Sequence, residues 1–288
     1  MPELPEVETV RRGLSLFITG RTIKAVNYDT PKSFPNDIHS VDAFMVGAQI
    51  TSIRRRAKAL MIDVSTGYTL VTHLKMTGQL VFVGEIRFGA GHPNDSLVNQ
   101  LPDKSTRVAI AFDDGTHLYF NDQRKFGWMK LIPTLEVPDM SFMKKVGPEP
   151  LEADFTAKQF SERFKRRANT SIKAALLDQS VIAGVGNIYA DESLWGAKIH
   201  PKRLVKSIKQ AEFKRLYEEL RMVMNLAIEK GGSSNHTYVN VEGKKGSYMD
   251  FARVFRREGL LCPRCGATII KFKAAGRGTH ICPVCQVL

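Results

Sequence analysis

The chain of 288 residues carries 42 Lys and Arg against 29 Asp and Glu, a net charge of +13, with 43% hydrophobic and 25% charged residues. Those proportions belong to a globular protein of about two domains and exclude a disordered chain, a collagen-like one and a disulfide-dense miniprotein. No run of about 18 apolar residues occurs, and the start Met1-Pro2-Glu3-Leu4-Pro5-Glu6 lacks the basic and apolar stretches of a signal peptide, so a cytoplasmic protein with no membrane partner is expected.

Val7, Val10, Leu14 and Phe17 are spaced as one face of a helix, with Pro5, Glu6 and Glu8 suited to its positive end and Gly20 to its stop. The pattern then turns to short β-rich runs: Thr22–Tyr28, Gln49–Ile53, Ala59–Val64, Thr69–Leu74 and Leu80–Val83. Arg107–Phe112 and Thr116–Phe120 flank Asp113-Asp114-Gly115, a hairpin signal. Strands at this spacing predict a sandwich or barrel. Gly84–Thr106 is expected as a long surface loop, and the proline-punctuated stretch Pro133–Asp154 as a linker.

Helical patterns follow. Ile172–Leu177 is one, and Asn187–Trp195 is another after the turn Gly184-Val185-Gly186. A long helix is predicted from a capping box at Ser207-x-x-Gln210 to Gly231-Gly232. Gly231–Tyr248, rich in Gly, Ser and Asn, is expected as a loop. The amides around Gly184–Gly186 and Asn187 at a helix start form a ready anion site.

The positive charge is uneven. From Lys244 to Leu288 nine Lys and Arg face only Asp250 and Glu258, and further clusters are Arg54-Arg55-Arg56 with Lys58 and Arg163 with Lys165-Arg166-Arg167. Any one cluster can be a solvated face. Together with the total charge they point to a polyanionic partner, nucleic acid first.

All four cysteines lie near the end: Cys262-Pro-Arg-Cys265, sixteen residues, then Cys282-Pro-Val-Cys285. Two C-x2-C knuckles at this separation suit a closed tetrahedral Zn2+ site, one structural ion with no open position for catalysis. Two disulfides or free thiols are the alternative, disfavoured where no secretion signal is evident. Zinc would supply folding energy to a tail too small for its own core.

At the other end, a small second residue permits removal of Met1 and would leave Pro2 with a free secondary amine. An α-amino group titrates near neutrality, so part of it is unprotonated and able to attack a sugar carbon that can become an imine. Glu3 beside it is a carboxyl placed to move protons. By itself this could be an ordinary protein start.

The stretch Met1–Leu14, MPELPEVETVRRGL, resembles the start of the bacterial formamidopyrimidine-DNA glycosylase family. Gly184-Val-Gly-Asn187-Ile-Tyr-Ala-Asp-Glu192-Ser-Leu resembles that family's helix–two-turn–helix element, and the cysteine segment with Gly276-Arg277-Gly-Thr resembles its zinc finger. The resemblance runs from residue 2 to 286 in the right order.

It implies an α+β multidomain fold: an N-terminal β-sandwich catalytic domain with a leading helix (1–133), a linker (134–153), a helix–two-turn–helix domain with a base-capping loop (154–240) and a zinc-ribbon finger (241–288). It implies a monomeric, nucleoid-associated repair enzyme acting on damaged double-stranded DNA. Such an enzyme excises oxidised purines, 8-oxoguanine and formamidopyrimidines, and cuts the strand by β,δ-elimination. Pro2 would be the nucleophile and Glu3 the acid, with Lys58 serving β-elimination and Arg277 δ-elimination. Met76, Arg124 and Phe126 match the side chains that fill the space of the extruded base, although Met76 and Phe126 taken alone read as core residues. His73, Lys173 and Arg277 match phosphate contacts, beside the anion site at Asn187, while Glu6 and Glu192 are expected to hold the architecture.

Some positions depart from the family pattern. Lys75 stands where glycine is usual, Gln123 where proline is usual, and Lys125 where a second arginine is usual. Ser105 falls at a DNA-contacting histidine position. Two other readings compete: an endonuclease VIII-like oxidised-pyrimidine glycosylase and a non-catalytic zinc-ribbon DNA-binding protein. Leu4 with Met76, Arg124 and Phe126 argues against the first; the joint presence of Pro2, Glu3 and Lys58 argues against the second.

Overall fold

The computed structural model describes residues 1–92, 94–233 and 247–288. The chain divides into two compact units, Met1–Lys144 with Gly231–Ser247 and Lys145–Lys230 with Tyr248–Leu288. Residues 234–246 of the expected 231–248 loop lie outside the described residues.

The first unit opens with α1 (Leu4–Phe17), whose buried face of Leu4, Val7, Val10 and Leu14 follows the expected spacing. Phe17 stacks on Phe82 and Phe88 with ring centroids 5.5 and 5.4 Å apart. The helix stops before Gly20, whose φ of 86° is left-handed. Two antiparallel sheets follow. One has the order β1 (Ile23–Tyr28), β7 (Thr106–Phe112), β8 (His117–Asp122), β5 (Gly78–Val83) and β6 (Arg87–Gly91). The other has the order β2 (Ile50–Arg56), β3 (Ala59–Val64), β4 (Tyr68–His73) and β9 (Trp128–Pro133). The β7–β8 hairpin turns at Asp113-Asp114-Gly115, as the sequence predicts, with Ala111 opposite His117.

One core lies between the sheets. It takes Val108, Ile110 and Phe120 from the first sheet, Leu60, Ile62 and Leu70 from the second, and Val10 and Leu14 from α1. Every residue of β3 is buried, because its other face is covered too. There Met61 and Val71 meet Val137, Met140 and Phe142. The segment expected as a bare linker therefore packs a 3-10 turn (Thr134–Asp139) onto the four-stranded sheet. Part of the expected 84–106 loop is likewise structured, as β6 and a short turn at Asp95–Leu97. A helix, α2 (Ile38–Phe44), capped by Asp37, and strand β9 complete this unit.

Past α3 (Ser141–Lys145), the second unit holds α4 (Ala157–Lys165), α5 (Ile172–Leu177), α6 (Asn187–Ala197) and α7 (Gln210–Glu229), then the hairpin β10 (Ile270–Ala274) and β11 (Arg277–Ile281). The buried side of α7, Phe213, Leu216, Leu220, Val223, Met224 and Ala227, repeats at helical spacing. Its start differs from the predicted box. Lys209 is the N-cap, and Glu212 accepts its N–H at 2.8 Å while also pairing with Arg203 at 2.6 Å. Ser207 instead closes a 3-10 turn by donating its hydroxyl to Leu204 O. Among the described residues no helix is long and apolar enough to cross a membrane.

Gly13 tests how α1 sits. A Cβ there would lie 2.0 Å from the Phe88 ring. Helix propensity alone favours Gly13→Ala by about 1 kcal/mol, but overpacking at this contact costs about 1–3 kcal/mol. A lowered midpoint in chemical denaturation is expected; a raised one would show that α1 does not press on β6.

Candidate functional site

Pro2 and Glu3 head α1, and both are buried, while Met1 ahead of them is exposed. Glu3 is the N-cap, and its N–H donates to the Glu6 carboxylate at 2.8 Å. The other Glu6 oxygen accepts the N–H of Ser233 at 2.9 Å. Glu6 thus ties the backbone of the chain start to that of Ser233.

Glu8, further along α1, accepts from Arg11, Arg12 and Arg55 at 2.8–3.2 Å. Burial alone would raise its pKa, but the hydrogen bonds of Arg11 and Arg12 and the charges of Arg11 and Arg55 outweigh it and hold it at about 2. Arg55 also donates to Ala57 O at 3.1 Å, tying α1 to the two-residue turn between β2 and β3. That turn places Ala57 in the left-handed region, at φ 52°, and buries Lys58.

His73 ends β4. Burial first, then the charges of Lys75 and Lys58, push its pKa down to about 3, so the imidazole is neutral at physiological pH. Its Nδ1 accepts the N–H of Lys75 at 3.0 Å, which leaves the ring hydrogen on Nε2 as a donor.

Met76, Arg124 and Phe126 occupy two adjacent turns. The register sets this: Gly78 pairs with Asp122 and His73 with Trp128, so the β4–β5 and β8–β9 connections are neighbours. Asp122, wholly buried, organises both. It accepts the Phe126 and Gly127 N–H groups at 2.9 and 2.7 Å, the Arg124 N–H at 3.2 Å and the Thr77 hydroxyl. The side chains above it face outward. Phe126 is 46% exposed, with the Arg124 guanidinium 4.9 Å and the Lys32 ammonium 5.4 Å from its ring centre, and Met76 is half-buried. Phe126 is thus no core residue. Sequence reasoning gives Asp122 no role of its own. The only available signal is a carboxyl two residues before a turn.

Ser105 does not reach the surface. It is buried, and its hydroxyl is engaged by the Asp103 carboxylate at 2.7 Å and by Ser96 at 2.9 Å. Ser105, at the position where the family pattern has a DNA-contacting histidine, thus uses its hydroxyl to close its own loop.

In the second unit, Asn187 begins α6 after the Gly186 N-cap, and its side-chain N–H donates to Gly278 O at 2.9 Å. Gln179 holds the preceding turn by accepting from Gly184 N and donating to Val185 O. Lys173, expected at a phosphate, is wholly buried. Its Nζ lies 2.6 Å from Asp191 Oδ1 and 2.7 Å from the Thr279 hydroxyl. Burial of an ammonium requires such an anion, so this lysine is a pin inside the unit. Arg277, by contrast, is exposed on the β10–β11 tip, where Ala275 and Gly276 have φ of 50° and 70°, as a two-residue type I′ turn requires. Glu192, also wholly buried, accepts the N–H groups of Arg253, Val254 and Phe255 at 2.8–2.9 Å and the Tyr248 hydroxyl at 3.1 Å. Burial and the Glu192 charge push the Tyr248 phenol upward, so it stays a donor.

The cysteines converge. Cys262, Cys265, Cys282 and Cys285 place their sulfurs within 4.8 Å of one another, with Cys262–Cys285 at 4.0 Å and Cys265–Cys282 at 3.4 Å. These separations are too long for disulfides and near the sulfur spacing of about 3.8 Å that tetrahedral Zn–S bonds of about 2.3 Å impose. The donor set fits one structural zinc ion. Burial opposes ionisation of Cys262, but hydrogen bonds, those of the Arg264 and Cys265 N–H groups foremost, outweigh it and lower the thiol's pKa. The knuckle docks on the end of α6: Arg264 donates to Trp195 O and Gly196 O at 3.0 and 3.2 Å and stacks 3.9 Å from the Trp195 ring centre.

Comparison with known proteins agrees along the whole chain. Residues 1–129 match the formamidopyrimidine-DNA glycosylase N-terminal domain, 146–239 the formamidopyrimidine-DNA glycosylase H2TH domain and 259–287 a zinc finger found in FPG and IleRS. The formamidopyrimidine-DNA glycosylase of Streptococcus pyogenes is 42% identical over 288 residues, covering 99% of this chain and 98% of its own, and that of Bacillus cereus is 39% identical over the same span. A point mutant of the Lactococcus lactis FPG, solved with a Fapy-dG containing DNA, superimposes with a TM-score of 0.87 at 36% identity, each chain covered completely. Such agreement defines a DNA glycosylase architecture of β-sandwich, helix–two-turn–helix and zinc finger. The chain belongs to the formamidopyrimidine-DNA glycosylase family.

Three outcomes are expected. Asp122→Asn removes a charged acceptor from three N–H groups and lowers stability by about 2–4 kcal/mol; faster hydrogen exchange at Arg124, Phe126 and Gly127 checks the cause. His73 takes up a proton on unfolding, because its pKa rises from about 3 toward the ordinary 6.5. Stability therefore falls as pH drops below about 6.5, by up to about 1.4 kcal/mol per unit, and His73→Gln flattens that slope in denaturation between about pH 7 and 5. Chelating zinc should strip hydrogen-exchange protection from residues 262–285 and leave the two sheets of the first unit protected.

Proposed function

We propose that the protein is a bifunctional DNA repair glycosylase that excises oxidised purines, 8-oxoguanine and formamidopyrimidines, from double-stranded DNA and then nicks the strand. The observation that carries this is Pro2 with Glu3, capped and buried at the head of α1, in a chain that matches the family from end to end. Structures of the Lactococcus lactis enzyme with Fapy-dG and with abasic-site DNA support the substrate class. On this reading residues 1–133 form the catalytic domain, 154–240 the helix–two-turn–helix domain and 241–288 the finger. The enzyme works as a cytoplasmic, nucleoid-associated monomer.

Removal of exposed Met1 frees the Pro2 nitrogen. Its lone pair attacks the sugar C1′, the glycosidic bond breaks, and the base leaves with the bonding electrons and a proton. Glu3 protonates the sugar ring oxygen, the ring opens, and a Schiff base remains on Pro2. The iminium acidifies C2′, whose proton is lost as the 3′ phosphate departs. Loss of the C4′ proton then releases the 5′ phosphate. Lys58, near enough to His73 to depress its pKa, assists the first elimination, with the neutral His73 Nε2–H available to a phosphate oxygen. Arg277 engages the phosphate of the second elimination, and Asn187 with the α6 amides grips the backbone. Arg124 and Phe126, held at the backbone by Asp122 and exposed at the side chain, fill the stack left by the flipped base together with half-buried Met76 on the neighbouring turn.

Borohydride trapping on a duplex with 8-oxoguanine opposite cytosine should give a covalent adduct at the amino terminus. Glu3→Gln should lose it on that lesion. A mature chain still carrying Met1, yet fully able to incise, would overturn the reading. Affinity should fall linearly in log–log with salt, at a slope of about −0.9 per phosphate neutralised. A similar Lactococcus lactis structure holds an oxidised pyrimidine, so relative cutting rates on purine and pyrimidine lesions decide the breadth of the substrate range.

A further inference from the structure

The hairpin that carries Arg277 cannot be fixed at its tip by the metal. Arg277 stands five residues before Cys282, about 16 Å of extended strand. A two-stranded ribbon of this length is marginal alone, and its turn holds a non-glycine residue, Ala275, in the left-handed region. Something else must set the direction of the tip.

A chain of buried hydrogen bonds does so. The Thr279 hydroxyl donates to Arg277 O at 3.1 Å and accepts from Lys173 Nζ at 2.7 Å. Lys173 Nζ also binds Asp191 Oδ1 at 2.6 Å, and Asp191 Oδ2 accepts the His280 N–H at 2.9 Å, with His280 Nδ1 at 3.2 Å. Asn187 donates to Gly278 O. Consecutive residues 277 to 280 are therefore each held at one polar atom, directly or through Thr279, from α5 or α6. Lys173, Asp191 and Thr279 are all essentially inaccessible to solvent. A buried ion pair is a poor source of net stability, since desolvation cancels most of its Coulomb gain. What it gives here is direction: an ammonium gripped by a carboxylate on one side and a hydroxyl on the other is confined to one arrangement.

We propose that Lys173 and Asp191, acting through Thr279, are positioning residues for Arg277, aiming its guanidinium at the phosphate that leaves in the second elimination. This rests on the function proposed above. The link is selective: it bears on Arg277 and has no part in Pro2 chemistry.

Full-length, zinc-loaded enzyme is compared with Thr279→Val, Thr279→Ser, Asp191→Asn and Arg277→Ala on an abasic-site duplex. Zinc content, thermal midpoint, borohydride adduct yield and the ratio of δ- to β-elimination product are read together. Thr279→Val keeps volume and the ion pair and loses only the hydroxyl. Retained zinc and adduct are expected, with the δ share falling by about ten- to hundredfold as it does in Arg277→Ala. Thr279→Ser should restore it. If Arg277→Ala loses the δ product while Thr279→Val and Asp191→Asn keep it, the positioning role is overturned and the function stands. If Thr279→Val loses zinc in step with activity, the contact is merely structural and the proposal fails. If unaltered enzyme traps no adduct, the functional reading fails first and this one with it.

Discussion

Buried carboxylates that accept main-chain N–H groups hold the segments on which the candidate site depends. Glu6 takes the amides of Glu3 and Ser233, Asp122 those of Arg124, Phe126 and Gly127, Asp191 that of His280, and Glu192 those of residues 253 to 255. None of these acceptors belongs to a sheet ladder or a helix interior bond. A turn, a helix start or the outer edge of a hairpin strand has no regular partner for such amides, and an unpaired amide inside protein is costly. A carboxylate satisfies several at once, with bonds stronger than those to a carbonyl. The cost of burying the charge is met by the number of donors gathered around it.

This arrangement separates backbone from side chain. Arg124, Phe126 and Arg277 are exposed, yet the amides or carbonyls of their own segments are fixed from beneath. A side chain on a fixed backbone loses only its rotamer freedom on meeting DNA, whereas a floppy turn would lose several residues of backbone freedom, at about 1–2 kcal/mol each. Extrusion of a base already costs a few kcal/mol. On the proposed function, an enzyme that also had to order its wedge would face both penalties, and turns held at the backbone avoid the second of them.

Features carried by neighbouring residues were legible in the sequence. The paired C-x2-C knuckles, the Asp113-Asp114-Gly115 turn, the apolar face of α1 and the proximity of Pro2 to Glu3 each reside in a few consecutive positions. What failed to show is long-range pairing. Nothing near Lys173 in sequence says that Asp191 and Thr279, 18 and 106 residues away, will enclose it; the family resemblance implies a phosphate contact and carries no sign of this enclosure. The burial of Ser105 is hidden for the same reason, since Ser96 comes to it through the folding of its loop. Strands β6 and β9 were missed because glycine interrupts one and proline ends the other; both owe their form to partners already in the sheet.

The two lysines that depart from the family pattern at the site share one backbone property. Lys75 and Lys125 have φ of 50° and 54°, a region that costs a residue with a side chain about 1–2 kcal/mol. Where glycine is usual at position 75, that strain is absent. Here the lysine brings a charge that glycine lacks, next to the amide it donates to His73 Nδ1. The charge is one of the two that depress the His73 pKa, so it helps keep the imidazole neutral and Nε2–H a donor. It also adds attraction for phosphate in a chain already at +13. Backbone strain at such a turn is tolerable because the Asp122 cluster on the neighbouring turn, joined through Thr77, over-determines the local geometry. The substitution thus trades conformational ease for field strength at the place where the backbone is best able to bear it.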